Sequence, residues 1–242
     1  MISYRAFHAV WTLPLLAACG ACFIGVQAPI IGLLVVSAVS CVVVVFTFPW
    51  DNWAVARKVW DFPDGQVWFR IQHLPVEEVF FFVVQTFHVG LLVCAWLAFF
   101  GPYPNTDADF SPVSTALLGI LGAAWILLWF VAKKWLRSRR TSTYAVHLAY
   151  WFAPILIAQW IFAWPILAPR LDALLIPAAI VGTILTMADV WAIRRGIWFF
   201  DETQVSGIRV GAILPIEEMC FFYITSVLVA QSVIILLPAG AR

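Results

Sequence analysis

Two adjacent carboxylic acids at the start of an apolar stretch occur twice in this chain, as Glu77-Glu78 and as Glu217-Glu218. Each pair follows a proline by one apolar residue (Pro75-Val76, Pro215-Ile216), and each is followed by an aromatic pair (Phe81-Phe82, Phe221-Phe222). Ionisable side chains are so unfavourable in hydrocarbon that carboxyls opening two membrane-type segments point to a functional site. The chemistry they suit is proton transfer. A carboxylic acid protonates a weak base such as an alkene only where its neutral form is available and water is scarce, and a second carboxyl supplies the complementary base. Neighbouring ring faces then stabilise a cation formed between the two steps. Helix capping explains part of the pattern, because proline fits a first turn and acidic groups complement the positive end of the helix dipole. It explains neither the repetition nor the run Phe80, Phe81, Phe82, where a surface helix would show an amphipathic stripe.

The repetition extends upstream. Asp51, Trp53, Ala54, Arg57 and Trp60 return as Asp189, Trp191, Ala192, Arg195 and Trp198 at an offset of 138, which a two-residue loop insertion turns into 140 at the glutamates. Successive residues of a helix point in different directions. Each glutamate pair is therefore expected to divide its duties, one carboxyl in a cavity and the other holding a neighbour such as Arg57 or Arg195. The four phenylalanines, with Trp53 and Trp191, are the candidates for substrate and cation contact. Pro75, Pro215, Asp51, Asp189, Arg57 and Arg195 are the candidates for support.

The elements that must position these groups are helices in a membrane. Hydrophobic residues make up 64% of the 242 positions and charged residues 11%, which is not the balance of a soluble domain. Seven apolar stretches are long enough to cross a hydrocarbon core of about 30 Å: 6–25, 29–48, 75–100, 112–132, 145–168, 172–193 and 212–238. The first runs almost directly into the second and reads as a retained span rather than a signal peptide. The expected fold is all-α, with two parallel three-helix repeats (residues 1–100 and 145–242) joined by a linking helix and a basic linker (101–144). An odd connecting helix makes both repeats cross in the same direction, related by a pseudo-twofold along the membrane normal. Of 14 Lys and Arg, all but Arg170 and Arg242 fall at the N-terminus or in the loops after spans two, four and six. By the positive-inside rule the N-terminus and both glutamate pairs are cytoplasmic and the C-terminus faces out, in the cell membrane. Residues Lys133 to Thr143 read as a solvated cytoplasmic linker, and Pro102 to Pro112 as an exterior turn region.

Other residues carry weaker signals. Cys19, Cys22, Cys41, Cys94 and Cys220 lie inside predicted spans and read as packing residues, the Cys19/Cys22 spacing notwithstanding. His73, four residues before Glu77, is a minor candidate for a proton relay. No basic groove for nucleic acid is evident, and no G-x-G-x-x-G motif follows a strand, so neither a nucleotide cofactor nor a metal is expected.

The duplicated proline, any residue, glutamate, glutamate motif resembles that of the membrane-integral, heterodimer-type lycopene cyclases, whose pattern is proline, any residue, glutamate, then glutamate or aspartate. The resemblance covers the whole chain, including the linking span, and matches the fused form of the two small subunits found in archaeal and fungal proteins. It implies conversion of lycopene, taken from the bilayer, to β-carotene through monocyclic γ-carotene. The steps would be protonation of a terminal alkene, attack of a neighbouring double bond on the tertiary cation, and loss of a proton, with no net redox change and no cofactor. Because the family pattern fixes the first position as Glu, Glu77 and Glu217 are favoured over Glu78 and Glu218 for the chemistry.

Alternatives from other classes are a SWEET-like carrier, which also joins two three-span repeats by one helix, and a cyclase acting on C50 carotenoids or another polyprenoid. A carrier is disfavoured because the repeated polar residues sit at helix mouths beside aromatics rather than at mid-membrane. A retinal protein would need a lysine in its last span, whereas Lys58, Lys133 and Lys134 lie in predicted loops. A di-iron oxygenase would need more histidines than His8, His73, His88 and His147. A membrane prenyltransferase would need aspartate-rich motifs that Asp51, Asp61 and Asp64 do not form.

Overall fold

The computed structural model describes residues 3–101, 106–137 and 140–241. Residues 102–105 of the exterior loop, and Arg139 and Arg242 of the charge count, lie outside the described residues. The chain is all-helical apart from short two-residue strands. The helices are α1 (Tyr4–Gly25, with a π-helical turn at His8–Thr12), α2 (Ile30–Ala56), α3 (Val76–Phe100), α4 (Pro112–Leu136), α5 (Thr143–Leu167), α6 (Leu171–Arg194) and α7 (Ile216–Leu236). Six helical stretches among the described residues are long and apolar enough to cross a membrane, and this is a membrane protein. The fifth stretch, Thr143–Arg194, is 52 residues long and consists of α5 and α6 joined by a single 3-10 turn at Ala168–Arg170.

Three predicted boundaries move. Helix α2 continues through Pro49 to Ala56 instead of ending near residue 48. Pro49 removes one intrahelical hydrogen bond, but burial of Trp50, Asp51, Ala54 and Val55 holds the turn that follows. Helix α4 runs to Leu136, so Lys133 and Lys134 are helical rather than part of a linker. Cations in a last turn complement the helix dipole, and their long stems let them reach the membrane surface. Helix α7 starts at Ile216 because Leu214 and Pro215 are taken into a strand.

Helix α3 is the centre of the bundle, largely buried, and it packs against α1, α2, α6 and α7. Gly90 allows the close approach of α2: a Cβ there would sit 2.5 Å from a Val36 methyl. Helix α4 is peripheral and largely exposed, and it packs on α5. At the end of the bundle away from the glutamates, buried Arg170 donates to Gly101 O (3.0 Å) and pairs with Asp172 (3.3 Å), which also accepts the Trp96 indole N–H (2.8 Å).

Short strands finish the glutamate end. Strands β2 (Arg70–Ile71) and β3 (Leu74–Pro75) form one antiparallel hairpin, and β5 (Arg209–Val210) and β6 (Leu214–Pro215) form its counterpart. Strand β1 (Trp60–Asp61) pairs with β4 (Phe199–Phe200), Trp60 opposite Phe200 and Asp61 opposite Phe199, tying the two halves of the chain together.

Candidate active site

Each hairpin runs directly into a glutamate helix. Pro75 and Pro215 hold extended backbone (φ −59°, ψ 143° and φ −55°, ψ 138°) immediately before the first helical residue. The sequence reading put them inside the first turn. They sit one position earlier because each is paired in a strand, with Arg70 and Arg209 respectively, and proline suits both the fixed φ and the end of a strand.

The two glutamates of each pair have different surroundings, and the partners differ from those expected. Glu77 Oε1 accepts the Trp68 backbone N–H at 2.8 Å, and Glu217 Oε1 accepts the Ser206 N–H at 2.6 Å. Positions 68 and 206 are equivalent under the 138 offset. Two residues before each, a buried glutamine offers its carbonyl to a tyrosine N–H: Gln66 O to Tyr4 (3.0 Å) and Gln204 O to Tyr144 (3.1 Å). The first glutamate of each pair thus pins a loop, and the loop pins the start of a helix. Among the described residues neither carboxyl pairs with an arginine. Arg57 and Arg195 cap the ends of α2 and α6 and fold back over Trp53 and Trp191, four residues earlier on the same helix face, at 5.3 and 5.7 Å from the ring centres. Arg57 also donates to Leu136 O at 2.7 Å.

Glu78 and Glu218 face one cavity of about 40 Å³, which they line together with Asp51, Tyr4, Tyr144 and a ring wall. Glu77 and Glu217, preferred from the sequence, are not part of this lining; each gives Oε1 to a loop amide, and its Oε2 is buried without a partner among the described residues. The Tyr144 hydroxyl donates to Glu218 Oε2, and Tyr4 lines the same cavity as Glu78. Asp51 is buried, with Oδ1 unpartnered among the described residues. Asp189, fully buried, accepts the indole N–H of the cavity residue Trp198 at 2.7 Å. Three carboxyls, Asp51 and Glu78 from the first half and Glu218 from the second, therefore line the cavity at the seam of α3 and α7, where Gln85 donates to Thr225 Oγ1 at 2.8 Å.

The rings are arranged reciprocally. Tyr4 of the first half lies 5.0 Å from Trp198 of the second, and Tyr144 of the second lies 5.2 Å from Trp60 of the first. Tyr4 stacks on Phe62 and Tyr144 on Phe200. Phe81 meets Phe222 edge to face at 6.2 Å, and Phe221 stacks flat on Trp50 at 5.2 Å. Of the six aromatics expected to contact substrate, Phe81, Phe221 and Phe222 line the cavity; Phe82 is buried but is not part of its wall. Trp53 and Trp191 are not brought there either: they pack on His147 (4.2 Å) and Trp11 (6.4 Å), on the arginine side of their helices. Their places are taken by Trp60 and Trp198, which recur in register, and by Trp50, which has no aromatic counterpart. The tyrosines were missed in the sequence although Ser3-Tyr4 and Thr143-Tyr144 recur at the glutamates' own offset of 140. His73 is exposed in the β2–β3 turn, away from the cavity. Among the described residues no group of three or more His, Cys, Asp or Glu is arranged to hold a metal ion.

A family model described as "Lycopene cyclase" matches residues 5–97 and 113–236. The chain is 33% identical over 209 residues to the lycopene beta-cyclase of Halobacterium salinarum, covering 85% of this chain and 81% of that protein. It is 34% identical over 197 residues to the bifunctional lycopene cyclase/phytoene synthase of Leptosphaeria maculans, covering 78% of this chain and 33% of that protein. The corresponding Sporisorium reilianum protein is 30% identical over 240 residues, 96% of this chain and 34% of its own length. The chain thus spans about a third of its fungal relatives and about four fifths of the archaeal one. No solved structure matches significantly.

Proposed function

The chain belongs to the lycopene cyclase family, and we propose that it converts the acyclic end groups of lycopene to β-ionone rings, through γ-carotene to β-carotene, by acid/base catalysis at the seam of α3 and α7. The observation that carries this reading is that Glu78 and Glu218, one from each half of the chain, face a single ring-lined cavity.

The reaction needs an acid, a means of stabilising a tertiary cation, and a base. One of the two glutamates adds its proton to the terminal alkene. The neighbouring double bond then attacks the cation, closing a carbon–carbon bond and moving the positive charge into the new ring. The other carboxyl removes a ring proton to leave the ring alkene. Proton gain and loss balance, so substrate and product are isomers. Asp51 adds a third carboxyl to the wall, Asp189 holds the Trp198 indole, Tyr144 orients Glu218, and the faces of Trp60, Trp198, Phe81 and Phe222 shield the cation. Glu77 and Glu217 act at one remove, by fixing the loops on which the tyrosines hang.

A cavity of about 40 Å³ holds roughly three waters and not a branched hydrocarbon end group. Substrate binding therefore requires the rings along the α3–α7 seam to separate, admitting the polyene from the lipid side.

The reciprocal contacts also favour an architecture of seven spans in a 3+1+3 order, with Thr143–Arg194 crossing twice. Residues 1–100 and 145–242 would form the repeats and 101–144 the link. Trp60 opposite Phe200 and Tyr4 against Trp198, mirrored by Tyr144 against Trp60, is the pattern of a twofold contact, in which each patch meets its own copy. The charge distribution favours a cytoplasmic N-terminus and glutamate end. Expression in lycopene-accumulating cells, followed by chromatography of the pigments, tests the activity. Cyclic carotenoids from the native chain and none from the Glu78→Gln, Glu218→Gln double variant support it; lycopene alone from the native chain overturns it.

A further inference from the structure

Beyond the glutamate cavity, a second cavity of about 270 Å³ opens where α2, α4 and α5 meet at the same end of the bundle. Arg57, Lys133 and Arg137 contribute to its rim, and Trp53, Trp129 and His147 to its wall. Cations at helix ends usually do no more than set topology, but these three border one cavity. Neither Lys133 nor Arg137 has an ion-pair partner among the described residues. Arg57 spends one N–H on Leu136 O and keeps the rest of its guanidinium on the Trp53 face.

His147 lies in the same wall, 4% exposed, and its Nε2 donates to the Trp50 carbonyl at 3.2 Å. The cavity thus offers three cations beside a wall of rings held in place. From Tyr150, which lines this cavity too, an apolar groove of about 460 Å³ continues along α4 and α5 past Trp125 and Leu128 toward Ile157.

We propose that cavity and groove form a binding site for one anionic bilayer phospholipid, of the phosphatidylglycerol type. The phosphate sits between Lys133, Arg137 and the free edge of Arg57, and one acyl chain lies in the α4–α5 groove. Basic pockets between membrane helices at the cytoplasmic side are suited to such headgroups. Occupancy would fix the otherwise peripheral α4 against α5, and through Trp53 and His147 would brace Trp50, which stacks on both His147 and the cavity ring Phe221.

The test is native mass spectrometry of the detergent-purified full chain, titrated separately with phosphatidylglycerol, phosphatidylcholine and inorganic phosphate. The native protein should hold one phosphatidylglycerol at least tenfold more tightly than phosphatidylcholine, and inorganic phosphate should not compete at equal concentration. Lys133→Ala with Arg137→Ala should lose at least tenfold in phosphatidylglycerol affinity. The charge-matched pair Lys134→Ala with Arg140→Ala, outside the cavity, should keep it. Equal losses in the two pairs would reduce the effect to general attraction by a basic surface and overturn the site. Equal binding of phosphatidylcholine, or equal competition by inorganic phosphate, would overturn the choice of ligand. Circular dichroism of both pairs confirms that folded protein is being compared.

Discussion

Changing each glutamate to glutamine should split the four carboxyls into two classes. Glu77→Gln and Glu217→Gln keep an oxygen that can accept from Trp68 N and Ser206 N, the bonds that now measure 2.8 and 2.6 Å. A hydrogen bond to a charged group contributes about 1.5–3 kcal/mol net, and one between neutral groups about half of that. Each of these changes therefore weakens the loop anchor by about 1 kcal/mol, or roughly fivefold if all of it appears in the rate. Glu78→Gln and Glu218→Gln instead remove an ionisable proton at the cavity. Loss of a general acid or base costs about 10²–10⁴-fold. The two classes should thus differ by at least about 20-fold. The assay is the initial rate of cyclic carotenoid formation from lycopene by purified protein in detergent, compared at equal amounts of folded, monodisperse protein. Near-complete loss in Glu77→Gln and Glu217→Gln with activity retained in Glu78→Gln and Glu218→Gln would refute the assignment, and with it the reading of the first glutamates as loop anchors.

The single variants also test for a shared site: neutralising either Glu78 or Glu218 should abolish every cyclic product, whereas steady accumulation of the monocyclic product in both would show two independent sites. Tyr144→Phe removes the hydroxyl that donates to Glu218 and should slow cyclisation by roughly 10- to 150-fold, from the 1.5–3 kcal/mol of a charge-assisted bond; an unchanged rate would exclude an orienting role. Gly90→Ala should destabilise the fold by about 1–3 kcal/mol through overpacking against Val36, and Val36→Ala in the same chain should restore much of it, as read by thermal unfolding in detergent. Cysteine labelling should find position 141 accessible from the cytoplasm and position 241 from outside; a cytoplasmic position 241 would imply an even number of spans.

Membrane class, helix positions and the repeated carboxyl pairs were legible in the sequence because each depends on local composition or on identity at a fixed spacing. A run of some 25 apolar residues must be helical in lipid, where every backbone polar group needs an internal partner. That constraint acts wherever the chain goes next. Tertiary structure decided which glutamate of each pair meets the cavity. Glu77 and Glu78 are adjacent in the same first turn, and their surroundings separate only because a loop amide from Trp68 comes within reach of one while the other faces the cavity that both halves of the chain line. The same holds for the tryptophans. Trp53 and Trp60 recur equally well, yet Trp53 turns toward Arg57 and His147 while Trp60 is carried by β1 across to Tyr144. Trp50 recurs with no aromatic at all and enters the site only because α2 runs on through Pro49. A repeat in sequence records which residues belong to a symmetric arrangement. Which of them face the axis depends on long-range packing between the halves, and no spacing within one half contains it.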